Sequence, residues 1–179
     1  MGKGTQMTEL LKSTDYVDVY RLSRDKRKVE GKVKVGDMKR LAETASNHED
    51  FFTYEITGMT GKLGWPGAIM ELHGKVDVPC NRCNKPVEVA IEREVVFRFA
   101  KDEEEADTIT IEEDDDTEVV VGSEKLNLMD WIEEEIILSI PLVPSHDYPC
   151  LDKGELIKDE EPMQKENPFA KLKGMKFRK

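Results

Sequence analysis

Cysteine is scarce in this sequence, with three residues in a chain of 179. An odd number of cysteines, without an apolar leader segment at the N-terminus, argues against the disulfide framework of a secreted domain. No stretch approaches the ~20 consecutive apolar residues that a membrane-spanning helix requires. Position 6 holds Gln6 instead of serine or threonine, so the myristoylation pattern is missing as well. These absences predict a cytoplasmic protein.

Positive charge is also in deficit, with 27 Lys and Arg against 38 Asp and Glu and a formal net charge of −11. Proteins that coat nucleic acid are normally basic, because their affinity for phosphates comes from Lys and Arg. We therefore exclude a surface that binds RNA over its whole area. A local basic patch and an acidic surface that attracts a basic protein both remain open.

The signatures of common catalytic sites are missing too. The sequence has no phosphate loop, no dinucleotide-binding glycine pattern and no HExxH motif. A histidine such as His146 is a conceivable base for a cysteine nucleophile, but no signature of an oriented base or an oxyanion hole accompanies it. We therefore predict that the protein is not an enzyme.

What the sequence does contain is a series of strand patterns followed by one clear helix. Apolar residues alternate over residues 51–59, 68–78 and 87–99, which predicts three strands of an antiparallel meander with one buried face. Residues 126–140 have helical spacing, with Asn127 as the N-cap and Pro141 as the stop. Shorter elements are predicted as strands at residues 16–20, 108–111 and 119–121, and as a helix that is capped by Asp37.

The fold class that follows is α+β, with an antiparallel β-sheet (meander) packed against one main helix. Residues 102–118 hold eleven acids and no base, which predicts a self-repelling acidic loop. We expect a flexible N-terminal tail over residues 1–14, a single α+β domain over residues 15–150, and an extended C-terminal segment with a short terminal helix over residues 151–179.

Cys80 and Cys83 stand three positions apart in the turn between two predicted strands. A CxxC turn is the commonest half of a structural zinc site, and His146 and Cys150 offer a Cys₃His ligand set although 62 residues separate Cys83 from His146. The competing interpretations are a redox pair and simple packing. A thioredoxin-like pair precedes a helix, whereas a strand pattern follows here. His73 falls on the polar face of its strand and is interpreted as a surface residue.

Basic residues concentrate in two segments. Residues 21–40 carry nine Lys or Arg against three acids, and residues 171–179 carry five basic residues and no acid. Such segments are often only solvated, but they are also the places where RNA phosphates could bind. The candidate RNA-binding residues are Arg21, Arg24, Arg27, Lys28, Lys32, Lys34, Lys39, Arg40, Lys171, Lys173 and Lys176.

Three segments together resemble a known family. Residues 79–86, Pro-Cys-Asn-Arg-Cys-Asn-Lys-Pro, are similar to the CxRCxxP element of the YceD family, the large ribosomal RNA subunit accumulation proteins. Residues 130–147 resemble its second hallmark, a helix that leads into a proline-bracketed segment and His-Asp. Residues 167–172, Asn-Pro-Phe-Ala-Lys-Leu, resemble its C-terminal NPFAxL box. Asn84 stands where the family pattern has glycine, and asparagine is among the residues that best tolerate left-handed geometry.

The resemblance implies a non-enzymatic factor in the synthesis, processing or stability of large-subunit ribosomal RNA. It implies no catalytic residues and no mechanism. From the residues themselves, two partners stay open: precursor RNA bound by the basic segments, or a basic large-subunit ribosomal protein bound by the acidic residues 102–118. The alternative function is that of a zinc-binding or redox CxxC protein with thiol-based activity.

Overall fold

The structure is a computed structural model that describes residues 10–109 and 117–150. By its internal contacts the chain divides into two units, Met1–His146 and Asp147–Lys179. Only the first four residues of the second unit are described. The predicted C-terminal segment therefore lies outside the described residues, and so do residues 1–9 of the predicted tail. None of the described helices has the length and apolar character to cross a membrane.

A five-stranded sheet is the centre of the first unit. Its strand order is β2-β3-β4-β5-β6. The strands are β2 (Lys28–Lys34), β3 (Phe51–Thr60), β4 (Pro66–Pro79), β5 (Pro86–Ala100) and β6 (Thr117–Val121). A separate two-stranded sheet pairs β1 (Tyr16–Val17) with β7 (Leu126–Asn127). The helices are α1 (Val19–Arg24), α2 (Lys39–Thr44), α3 (Glu103–Thr108) and α4 (Leu128–Ser139).

The predicted meander is present as β3, β4 and β5, which pair antiparallel in chain order. Alternation gives the predicted faces, since Phe52 and Leu72 are buried whereas His73 is exposed. The sheet is larger than predicted because β2 adds antiparallel to β3 and β6 adds parallel to β5. It is therefore a mixed sheet. A parallel neighbour needs a crossover connection, which the chain between β5 and β6 provides.

The buried face of the sheet is covered by more than one helix. Trp131 of α4 packs edge-on against Phe97 and Phe99 of β5, with ring centroids 5.0 and 5.9 Å apart. Leu22 of α1 is also buried, and α1 contacts β3 and β4. Asn127 caps α4 as predicted, because its side-chain oxygen accepts a hydrogen bond from the Asp130 N–H at 3.1 Å. The prediction of a single covering helix is only partly right.

Two short strand predictions need correction. The segment at residues 16–20 is a strand only at Tyr16–Val17, after which Asp18 caps α1 by accepting from the Arg21 N–H at 3.0 Å. Near the predicted strand at residues 108–111, α3 ends at Thr108 and residues 110–111 lie outside the described residues. The third prediction, at residues 119–121, is confirmed within β6.

The acidic segment begins as a helix instead of the predicted loop. Asp102 accepts a hydrogen bond from the Glu105 N–H at 2.8 Å and so caps α3. The first turn of α3 holds Glu103, Glu104 and Glu105. Acidic side chains are favourable at a helix N-terminus, where the backbone N–H groups carry partial positive charge. The placement of these glutamates in the first turn therefore compensates for their mutual repulsion, which was the reason to predict a loop. The rest of the acidic segment, residues 110–116, lies outside the described residues.

The N-terminus of α2 is stabilised by a residue from another helix. The predicted cap, Asp37, belongs to a 3₁₀ turn, and no side chain of the N-cap residue bonds the helix. Instead, the buried carboxylate of Glu133 in α4 accepts hydrogen bonds from the N–H groups of Arg40 and Leu41 at 2.7 and 2.9 Å. The Arg40 guanidinium adds a contact at 3.3 Å. Glu133 therefore joins α2 to α4.

A second buried carboxylate, Glu135, lies between α4 and the sheet. Its Oε2 is 3.5 Å from Nε of Arg93, which also pairs with Glu118 at 2.6 Å. Burial, followed by repulsion from Glu118, raises the pKa of Glu135 to about 7, although the Arg93 charge opposes this shift. Two carboxylates thus share one guanidinium across the interface between α4, β5 and β6.

We predict that Glu133→Ala destabilises the protein. The substitution removes the acceptor of the part-buried Arg40 N–H and the buried Leu41 N–H, together with the partner of the Arg40 guanidinium, a loss of about 2–4 kcal/mol. Urea unfolding measures this change in the free energy of unfolding. Glu134→Ala is the matched control, because Glu134 is an exposed neighbour and should change stability by less than about 0.5 kcal/mol. Equal effects from the two substitutions would contradict the assignment.

We predict that Glu135 lowers stability as the pH rises. Its pKa is about 7 in the folded chain against 4.5 as its ordinary value, so the favourable protonated form is fully present below pH 4.5 and is lost through pH 7. Glu135→Gln cannot ionise. The free energy of unfolding of this variant should rise relative to that of the native chain by about 2 kcal/mol between pH 4.5 and 8. This is less than the full pKa shift implies, because solvent reaches Arg93 and Glu118 and screens their charges. Urea unfolding at both pH values tests this, and a pH-independent difference would contradict it.

Candidate metal centre

The turn between β4 and β5 holds the two cysteines of the CxxC motif. The strands stay paired up to Pro79 and Pro86, so the hairpin ends immediately beside Cys80. The Cys80 N–H donates to the Lys85 carbonyl at 2.9 Å, and the Asn84 N–H donates to the Cys80 carbonyl at 2.8 Å. The turn is therefore closed by backbone hydrogen bonds.

Asn84 is the residue that makes this turn sterically possible. Its φ angle is +58°, in the left-handed region that most residues with a side chain avoid. Glycine adopts this region most readily, and asparagine is among the side chains that tolerate it best. The departure from the family pattern at this position therefore preserves the geometry of the turn.

The sulfur of Cys80 is buried and receives a backbone hydrogen bond. Cys80 is 2% exposed, and the Arg82 N–H donates to its Sγ at 3.4 Å. An N–H group directed at sulfur stabilises negative charge there, and the thiolate is the form of cysteine that binds metals. Cys83 is half-buried on the same turn.

His146 reaches this turn because two hydrogen bonds hold the segment that follows α4. The Asn81 N–H donates to the Pro144 carbonyl at 2.9 Å. The Arg82 guanidinium donates to the carbonyl of His146. Both donors belong to the turn itself, so the residues between the cysteines position the distant histidine.

The hydrogen bonds of His146 define which ring nitrogen is available as a ligand. Nε2 lies 3.0 Å from the carbonyl oxygen of Pro86, and a carbonyl can only accept, so Nε2 carries the proton. In the neutral ring Nδ1 is then unprotonated, and it lies 3.5 Å from Sγ of Cys83. Metal-binding histidines are typically oriented in this way, with the second nitrogen bonded to a carbonyl or carboxylate.

Of the four predicted ligands, Cys150 belongs to the second unit. Cys80, Cys83 and His146 lie in the first unit and form a group that could hold a metal ion. Their ligand atoms all lie within 4.8 Å of one another. Zn–S distances of about 2.3 Å and Zn–N distances of about 2.0 Å in a tetrahedral shell place sulfur and nitrogen ligands about 3.5 Å apart. The separation of Cys83 Sγ and His146 Nδ1 matches this value. The chemistry of the donors, soft thiolates with one imidazole, is that of structural zinc sites.

The geometry around the cysteines differs from that of a thioredoxin-like redox pair. Those thiols precede a helix whose N-terminus lowers their pKa, whereas here the turn leads directly into β5. In the described part of the chain, none of the three cysteines forms a disulfide bond.

The candidate RNA-binding residues that the structure describes lie in or next to α1, β2 and α2, and most of these contact an acid. Asp25 lies within ion-pair distance of Arg21, Arg24 and Arg27. Lys28 pairs with Glu30 and Glu55, Lys34 with Glu49, and Arg40 with Glu133. Within residues 10–109 and 117–150, Lys32 and Lys39 have no ion pair. Lys171, Lys173 and Lys176 lie outside the described residues.

Sequence reasoning missed the supporting residues of the metal centre. Arg82 and Pro86 were parts of the recognised motif, but neither was assigned a role. The guanidinium of Arg82 holds the backbone of His146, and the carbonyl of Pro86 orients its ring. The position of an arginine between two cysteines was a signal for the first contact. A backbone carbonyl has no sequence signal, so the second contact requires the structure.

Comparisons with known proteins agree with the motifs. The family described as "Large ribosomal RNA subunit accumulation protein YceD" matches residues 69–176, which include both cysteines of the turn and His146. A protein of that name from Haemophilus influenzae is 29% identical over 122 residues, which cover 62% of this chain and 68% of the relative. No solved structure matches significantly. Because the family match extends over more than half of its length, the chain belongs to the YceD family.

Proposed function

We propose that the protein is a non-enzymatic factor in the synthesis, processing or stability of large-subunit ribosomal RNA. It acts in the cytoplasm by binding precursor RNA or a large-subunit ribosomal protein. The observation that carries this proposal is the match over residues 69–176 to a family named for large ribosomal RNA subunit accumulation. The relative from Haemophilus influenzae bears the same description.

The metal centre has a structural role in this proposal, with zinc as the ion. Cys80, Cys83, His146 and Cys150 would be its ligands. A zinc ion bound there ties the segment after α4 to the end of the β4–β5 hairpin. Structural zinc in small modules contributes on the order of 10 kcal/mol to folding. Its loss would therefore affect the whole hairpin end and not only one side chain.

Binding to RNA is supported by the basic residues near α1 and β2. Asp25 holds three guanidinium groups within 3.7 Å of its carboxylate, which leaves a net positive surface at the end of α1. Exposed ion pairs are weak, typically ~0–1 kcal/mol, so an RNA phosphate can compete with the carboxylate. Lys32 adds an exposed charge on β2.

Binding to a ribosomal protein is supported by the acidic residues. The chain carries a formal net charge of −11, which attracts basic partners over a distance of about one Debye length. The first turn of α3 presents three glutamates. The two partners are compatible with one function, and the experiments below separate them.

We predict one equivalent of zinc per chain in protein purified without chelator, measured by elemental analysis. Cys83→Ser should reduce the zinc content severely, because it removes one of the four ligands. His73→Ala is the matched control, since His73 is exposed within β4, is not one of the four ligands and should leave the zinc content unchanged. Native protein with far less than one equivalent would contradict the proposal. Rapid alkylation of its cysteines would then favour the thiol-based alternative.

We predict that crosslinking and purification of the tagged protein from its host enrich large-subunit precursor RNA. If contact with RNA is direct, the affinity falls steeply with salt, and replacing Arg24, Arg27 and Lys32 by Gln weakens it at least tenfold. The control replaces Lys75, Lys101 and Lys125 by Gln, which makes the same charge change at three exposed positions away from α1 and β2. Equal losses in both variants would contradict a local RNA site. Enrichment of a ribosomal protein without RNA crosslinks would support the protein partner.

A further inference from the structure

The strand β6 forms an open edge of the main sheet. It is the last strand in the order β2-β3-β4-β5-β6, and no strand among residues 10–109 and 117–150 pairs with its other side. The strand carries three consecutive valines, and the side chain of Val121 is 44% exposed. A valine-rich edge strand is a template for pairing with another segment of chain.

The backbone of β6 shows which groups face outward. The Gly122 N–H donates to the Ala100 carbonyl of β5 at 2.8 Å, so the backbone groups of residue 122 point toward β5. Successive residues of a strand alternate in direction, so those of Val120 point the same way. The N–H and C=O groups of Val119 and Val121 therefore point away from the sheet, where an added strand would bond them.

Next to this edge lies a cavity, and one of its lining residues carries an unsatisfied donor. The cavity has a volume of about 330 Å³ and is lined by Val120, Val121, Leu126 and Trp131 together with polar residues of β7 and α4. Trp131 is 7% exposed, and in the described part of the chain its buried Nε1–H has no hydrogen-bond partner. A buried donor without an acceptor is unfavourable, so binding of a group that accepts a hydrogen bond from Nε1 would be favoured.

The rim of the cavity selects the charge of the occupant. Asp130 and Glu134, one helical turn apart on α4, are exposed and line the cavity. Lys125 is the basic residue of the lining, and its ammonium lies 4.8 Å from the centre of the Tyr16 ring. The rim is therefore acidic overall, and the net charge of the chain has the same sign.

We propose that the β6 edge binds an extended, basic peptide segment of a partner protein by strand addition. Backbone groups of the segment bond Val119 and Val121, an acceptor group reaches Nε1 of Trp131, and basic side chains lie against Asp130 and Glu134. The inference rests on the proposed function in one respect: it is the reason to expect that the partner is a protein of the large ribosomal subunit. The site itself is defined by the edge, the cavity and the acidic rim.

A synthetic peptide tests the site directly. The probe is a ten-residue peptide that alternates valine and lysine, and its control alternates valine and glutamate. In nitrogen-15 NMR spectra of the full-length protein, the lysine peptide should shift the indole resonance of Trp131 and the amide resonances of Val119 and Val121. The indole of Trp65, in the β3–β4 turn, is the internal reference and should not shift. Equal shifts with both peptides, or none, would overturn the proposal.

Two variants separate strand addition from unspecific attraction. Val119→Pro removes an outward N–H without removing a bond to β5, and it should weaken binding of the lysine peptide at least tenfold. The double variant Asp130→Lys, Glu134→Lys leaves the backbone of β6 unchanged and should weaken binding to a similar extent. If both variants fold and bind as the native chain does, the edge is not the site.

An experiment in the host identifies the occupant. A photocrosslinking residue in place of Val121 should capture a Lys- and Arg-rich segment of one protein, and Val119→Pro should abolish this product. A crosslink between two copies of the chain, or to RNA, would overturn the proposal. Deletion of the gene with unchanged large-subunit RNA would refute the proposed function instead. Full complementation by Val119→Pro would refute only the β6 site.

Discussion

The candidate metal centre and the β6 edge both depend on one constraint, the register between β4 and β5. It continues without a bulge from the pair Gly67–Arg98 to the pair Pro79–Pro86. A slip of one residue would turn the whole buried set of β5, including Phe97, toward solvent, and the loss of burial makes such a slip costly. The pairing that directs these side chains into the core therefore also positions the cysteine turn at one end of the hairpin. At the other end, β5 is the strand with which β6 pairs.

Local patterns predicted much of this fold because their causes are local. Alternation identified β3, β4 and β5, and the capping residue Asn127 identified the start of α4. The cap of α2 was assigned to Asp37 because only neighbours are visible in a sequence, whereas the actual acceptor, Glu133, comes from a helix far along the chain. The parallel pairing of β6 was missed for a similar reason, since the helix α3 that makes the crossover is hidden within an acidic run.

The four candidate metal ligands could be proposed from spacing and residue type, but their geometry could not. A CxxC turn and a distant histidine are compatible with many arrangements, and only the contacts of Asn81 and Arg82 show why the histidine returns to the turn. The basic residues illustrate the opposite case. Their concentration in residues 21–40 is plain in the sequence, yet the acids that pair with them come from several elements, including β3 and α4. Net charge over a segment therefore overstates the charge available to a ligand.

The small sheet of β1 and β7 has a consequence for the order of folding. Tyr16 pairs with Asn127, so this sheet joins the two ends of nearly the whole first unit. The hairpins of the main sheet close short loops. The β1–β7 pair closes a very long loop, which costs more conformational entropy, and only two residues of each strand are paired in return. Such contacts form after the rest of the chain has already brought their partners together. We expect the main sheet to assemble first and the β1–β7 pair to act as the final closure of the unit.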